Sequence, residues 1–80
     1  MDYYYVNKNA QPSGEHEVHK QTCNYLPNVQ NLIGLGYFYN CSDAVRKARE
    51  YYANVDGCYY CCPTCIRDKR IINNLTMVLI

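Results

Sequence analysis

The sequence has no tryptophan and a single phenylalanine, and Leu, Ile, Val and Phe together supply only seventeen of its 80 residues. Ordering a chain costs roughly 1.5 kcal/mol per residue, and a core this thin repays little more than that. A large enzyme core is excluded. A chain of this size and composition needs a staple, whether disulfides, a metal or a partner subunit. Charge of one sign is also missing: eight basic side chains against seven acidic ones leave a net charge of +1. That balance lacks the field by which strongly basic proteins hold nucleic acid or anionic membrane. No apolar run approaches the ~20 residues needed to span a bilayer, so no membrane association is expected. The segment Met1 to Lys8 carries an acid at position 2 and no apolar stretch of a secretion signal. We therefore expect a cytoplasmic chain whose cysteines meet a reducing environment, where metal binding outranks disulfides. The secreted alternative rests on Asn40-Cys41-Ser42 and Asn74-Leu75-Thr76, which match the glycosylation pattern. Six cysteines would then allow three bridges in fifteen connectivities. Patterns this short arise by chance.

What the chain does have is ten tyrosines and six cysteines. Tyr3 to Val6 is a short β-favouring run, ended by the turn-rich stretch Asn7 to Gly14. Glu15 to His19 reads as a second strand, with Glu15, Glu17 and His19 on one face and His16 and Val18 on the other. Pro27 to Asn31 reads as loop. Leu32 to Tyr39 reads as a strand whose Gly34 and Gly36 mark a bulge or a close backbone approach. The helix signal begins with Ser42 as N-cap and Asp43 at the positive end of the macrodipole. Ala44, Val45, Ala48, Tyr51, Tyr52 and Val55 follow at helical spacing, and Gly57 stands where the chain must leave the helix. Arg46, Arg49, Glu50 and Ala53 lie opposite, with Arg46 and Glu50 at i,i+4; a solvated face of mixed charge is preferred there over a phosphate-binding one. In the tail, Ile71, Ile72, Leu75, Val78 and Leu79 suggest a second amphipathic helix that packs on the domain or on a second copy. Residues 75–80 read equally well as a strand.

Three local patterns carry chemistry: His19-x3-Cys23, Cys58-x2-Cys61 and Cys62-Pro63-Thr64-Cys65. A Cys-x2-Cys turn presents two sulfurs to one tetrahedral ion, and a His-x3-Cys supplies the other two ligands from a distant part of the chain. A metal so held would close the loop on which the core is built and couple binding to folding. The bland alternative treats the cysteines as small buried hydrophobes; four within eight residues of polar sequence argue against it. The preferred ligand set is His19, Cys23, Cys58 and Cys61, with sets using Cys62 or Cys65 open at this level. Cys41, alone before the helix, reads as a core residue. His16 would point away from His19 and reads as a spare group or one that supports a ligand.

Catalytic readings are weaker. His16-Glu17-Val18-His19 is one residue short of the His-Glu-x-x-His metalloprotease motif, so its imidazoles cannot share a helix face. Cys62-Pro63-Thr64-Cys65 has the spacing of a redox turn but lacks the strand and βαβ context before it. Exposed tyrosines such as Tyr59 and Tyr60 would suit base stacking, yet in so aliphatic-poor a chain most tyrosines are expected to serve packing.

His19-x3-Cys23, the β-rich middle, the helix headed by Ser42-Asp43-Ala44-Val45 and Gly57-Cys58-x2-Cys61 together resemble the N-terminal zinc domain of Ada-type alkylation-repair proteins and its small stand-alone relatives. Tyr4-Tyr5-Val6-Asn7-Lys8-Asn9, His16-Glu17-Val18-His19 and Gly57-Cys58-Tyr59-Tyr60-Cys61-Cys62 are also similar to a group of short bacterial proteins. The likeness spans about residues 3–65. It implies one zinc ion per chain and favours Cys58 and Cys61 over the second pair. In the repair family a zinc-bound thiolate of a Cys-x3-Cys pair accepts a methyl group from DNA phosphate. His19 stands at the first position of that pair here, so methyl transfer does not carry over.

The expectation is an α+β domain over residues 1–65, a two- or three-stranded sheet with one main helix, stapled by one zinc, followed by a tail over 66–80. Its expected role is a non-enzymatic interaction module with a protein partner. Nucleic-acid binding through the helix and Arg67-Asp68-Lys69-Arg70 is one alternative, thiol redox chemistry at a Cys-x-x-Cys pair another, and a homodimer through the tail would be compatible with the first role.

Overall fold

Alternation of Tyr4 and Val6 with more polar neighbours places both on one face of β1 (Asp2–Asn7), and Val18 on the same face of β2 (His16–Lys20). The two strands are antiparallel, with Tyr4 opposite Lys20, Tyr5 opposite His19 and Val6 opposite Val18. A computed structural model describes residues 1–66 of the chain. Among them the α+β class with one α-helix holds, in the order β1, β2, β3 (Leu32–Phe38), α1 (Cys41–Ala48) and β4 (Val55–Gly57). Short 3-10 turns precede β3, at Val29–Asn31, and follow β4, at Pro63–Cys65.

Among the described residues the sheet has four strands in the order β3-β1-β2-β4, where two or three were expected. β3 runs antiparallel to β1 with the expected bulge: Tyr4 pairs with Gly36 and Tyr5 with Gly34, leaving Leu35 as the extra residue. Gly36 takes φ +113°, a left-handed conformation that disfavours any side chain.

The fourth strand comes from sequence that reads as the end of the helix. α1 stops at Ala48, and Val55 is buried on β4, which pairs in parallel with β2. Asn54 and Asp56 are weak helix formers beside the β-branched Val55. Extended, this segment satisfies the outer edge of β2: His16 N–H donates to Asn54 O at 2.9 Å and Cys58 N–H to Val18 O at 2.9 Å. Gly57 is therefore no helix cap. It lies in β4, where an added Cβ would sit 2.7 Å from the Cys62 carbonyl oxygen and 2.8 Å from Cys65 Cβ. The N-cap also moves, from Ser42 to Asn40, whose side-chain oxygen accepts from Asp43 N–H at 2.9 Å and from the Ser42 hydroxyl at 2.8 Å.

Ala44, Val45 and Ala48 of α1 pack on Tyr4, Val6, Val18 and Leu35 of the sheet, with Val55, Cys41 and Cys62 completing the core. Tyr51 is exposed, while Tyr52 packs on the core edge. The outer helix face carries mixed charge as expected, with a different pairing: Arg46 bonds Asp43 at 3.2 Å and Lys47 bonds Glu50 at 3.0 Å, rather than Arg46 with Glu50. Opposite-charge pairs three apart face each other on a helix. On the other sheet face Tyr3 packs against Tyr5 and, edge-on, against Tyr37. Among the described residues no helix is long and apolar enough to cross a membrane. The tail's expected helix or strand lies outside the described residues.

Candidate metal centre

Because β2 and β4 are parallel, their chains leave the sheet at the same end. β2 delivers His19 just before its last residue, and a turn closed by Cys23 N–H on Lys20 O (3.0 Å) brings Cys23 back towards the same end. β4 delivers Cys58 immediately after Gly57, and the following turn, closed by Cys62 N–H on Cys58 O (2.8 Å), presents Cys61. The ligand atoms of His19, Cys23, Cys58 and Cys61 all lie within 4.8 Å of one another, a group that could hold a metal ion. Cys23 and Cys58 Sγ are 3.8 Å apart. A tetrahedron of sulfurs about 2.3 Å from a central ion has edges of about 3.8 Å.

The surroundings suit thiolates. Tyr25 N–H donates to Cys23 Sγ and Tyr60 N–H to Cys58 Sγ, each at 3.4 Å, and Lys20 N–H donates to Cys61 Sγ at 3.3 Å. Each sulfur thus receives a backbone donor, which stabilises the charged form. Burial acts the other way in the metal-free protein. It pushes the Cys23 thiol up and the Cys58 thiol up to about 12. The Cys61 thiol also rises, first through its hydrogen bond to Cys62 and then through burial. Burial lowers His19, keeping its imidazole neutral. Buried thiols of this kind ionise when a cation replaces their protons.

His19 is the sharpest feature. It is 2% exposed, and neither ring nitrogen has a hydrogen-bond partner among the described residues. Glu17 Oε1 lies 3.5 Å from Nε2, a distance that a small ring adjustment would close. A buried imidazole with both nitrogens unsatisfied costs free energy. A metal on one nitrogen and a carboxylate near the other removes that cost. The side chains present therefore fit a metal.

The other candidates fall outside the group. Cys62 is buried in the core, its Sγ 3.9 Å from that of Cys61. His16 bonds Asn7 O through Nδ1 at 2.8 Å and stacks on Tyr52 with ring centroids 3.6 Å apart, a structural role. Cys41 lies in the core as expected but is not alone: it forms a disulfide with Cys65, their Cα atoms 6.5 Å apart. Cys65 is thereby paired across to α1 and not with Cys62 of the Cys-Pro-Thr-Cys turn. Twenty-four residues separate the bonded cysteines, and no local spacing announces the pair. Strand alternation had already put Glu17 on the face of His19, but sequence reasoning gave that carboxylate no role and missed the three sulfur-bonding amides, which only the folded turns define. Tyr25 and Tyr60, on the two ligand turns, stack at 4.1 Å, and Tyr59 packs edge-on against Tyr60. No family model, curated protein or solved structure matches the chain.

Proposed function

We propose that the group binds one zinc ion and that the domain is a non-enzymatic interaction module with a protein partner in the cytoplasm. The observation that carries the metal is His19, buried without a hydrogen bond and within 4.8 Å of three cysteine sulfurs. Three thiolates and one imidazole form a closed tetrahedral set suited to zinc, leaving no position for substrate. Zinc bound there would supply structural cross-linking and neutralise two of the three thiolate charges. The resemblance to the alkylation-repair zinc domain supports the same ion, and His19 at that family's methyl-accepting position supports a role without methyl transfer. Tyr25, Tyr59 and Tyr60 form an exposed aromatic patch on the turns that the ion would fix. Aromatic side chains of this kind are enriched at protein interfaces. Elemental analysis of protein purified without added metal, under anaerobic reducing conditions, should give about one zinc per chain, and chelation should abolish cooperative unfolding. A metal-free protein that unfolds cooperatively would overturn the reading.

A further inference from the structure

The Cys41–Cys65 disulfide lies outside the metal group and has the surroundings of a reactive bond. We propose that it is an exchangeable redox centre, reduced by small thiols that carry carboxylates and enter from the Cys65 side. Cys65 lines an open cavity of about 310 Å³ together with Ser42, Val45, Arg46, Arg49 and Thr64. That volume is at the lower end of ligand-pocket sizes. Two guanidinium groups and two hydroxyls give it the chemistry to hold carboxylates. Arg46 also bonds Asp43 at 3.2 Å, in an exposed pair that water screens.

Cys41 is placed as the leaving sulfur. It is the first residue of α1, where the helix macrodipole favours a negative charge. The Thr64 hydroxyl lies 3.2 Å from its Sγ and donates to it, because a disulfide sulfur has no proton. A leaving thiolate stabilised in this way departs faster. In the first step the electron pair of the incoming thiolate forms a bond to Cys65 Sγ. The Cys41–Cys65 bond breaks, and its electron pair remains on Cys41. A second thiolate then attacks the small-molecule sulfur of the mixed disulfide and releases Cys65 as thiolate. Two small thiols are oxidised to one disulfide, the protein disulfide is reduced to a dithiol, and the two protons end on Cys41 and Cys65.

The test is reduction of the folded, metal-loaded protein by glutathione, which has two carboxylates, and by cysteamine, which has none. Differential alkylation with peptide mapping follows Cys41 and Cys65 separately from the other four cysteines. At equal thiolate concentration glutathione should react about tenfold faster, and the Arg46→Ala/Arg49→Ala variant should lose that advantage while cysteamine is unaffected. Acid quenching early in the reaction with glutathione should trap the mixed disulfide on Cys65 and not on Cys41. Reduction only after unfolding, equal rates for the two thiols, or a mixed disulfide trapped on Cys41 would each overturn the proposal. Circular dichroism of the arginine variant guards against a folding artefact, and the metal content reads out the zinc assignment independently.

Discussion

Metal binding at this site should expel protons in a number the geometry fixes. In the metal-free protein at pH 7, the Cys58 thiol, pushed up to about 12, is protonated, and so are Cys23 and Cys61, both raised. His19 is lowered by burial and already neutral. Loading the ion therefore displaces about three protons, all from sulfur. By linkage, the apparent binding constant rises about a thousandfold per pH unit near neutrality. Below the lowered pKa of His19 a fourth proton joins and the slope steepens. The sign follows from the same shifts: acid favours the protonated thiols, so it expels the metal and, with it, the fold. Calorimetric titration of zinc in buffers of different ionisation enthalpy counts the protons directly, and chelator competition between pH 6.5 and 8 gives the slope. Release of one proton or none would refute the reasoning, because three desolvated thiols could not then be the ligands.

Replacement of Cys58 or Cys61 by Ser should abolish both zinc content and cooperative unfolding, whereas Cys62→Ser should keep the metal and cost about 1–3 kcal/mol for a hydroxyl placed in the core, measured by urea titration. Cys41→Ser should lose about 3 kcal/mol through the opened loop of 24 residues, with zinc retained; an unchanged denaturation midpoint would show that the cross-link does not constrain the chain. Gly57→Ala places a Cβ against the Cys62 carbonyl and Cys65 and should cost at least about 1–3 kcal/mol. A chain ending at Ile66 should keep the metal and the fold, and an unfolded product would mean that the tail belongs to the core.

The first three strands, the bulge and the buried face of the helix were legible because each depends on alternation or periodicity within a few residues. Leu35 bulged between two glycines, and Ala44, Val45 and Ala48 turned inward, as their spacing implies. The ligand pairs could be singled out for a similar reason, since His-x3-Cys and Cys-x2-Cys are local patterns. What failed was non-local. Tyr51, Tyr52 and Val55 continue the helical period, yet the open edge of β2 recruits Val55 into a strand, and no window of sequence around residue 55 contains that edge. The same limit hid the disulfide, whose partners approach only because α1 packs back over the turn at Pro63–Cys65. Asn40 displaced Ser42 as cap because either side chain can accept at a helix start, and backbone direction decides between them.

Short β4 explains why so much sulfur is concentrated after it. Three residues in one parallel pairing contribute few hydrogen bonds and little apolar area, too little to hold that edge of the sheet. The next eight residues supply what the strand lacks. Cys58 and Cys61 reach the metal group, Cys62 fills the core, and Cys65 bonds the start of α1. A metal held by the group would close a loop of 35 residues between Cys23 and Cys58, and the disulfide closes one of 24 between Cys41 and Cys65. Each such closure is worth about 3–4 kcal/mol in chain entropy. That is a large share of the stability of a domain this small. The two links differ in their chemistry. One would depend on a cation and on pH, the other on reduction by thiols, and Gly57, pressed against Cys62 and Cys65, is where the segments they fix meet. Reduction of the disulfide should therefore loosen the turn at Pro63–Cys65 first and leave the parallel pairing of β2 with β4 to the metal, while loss of the metal removes the anchor at the end of both strands.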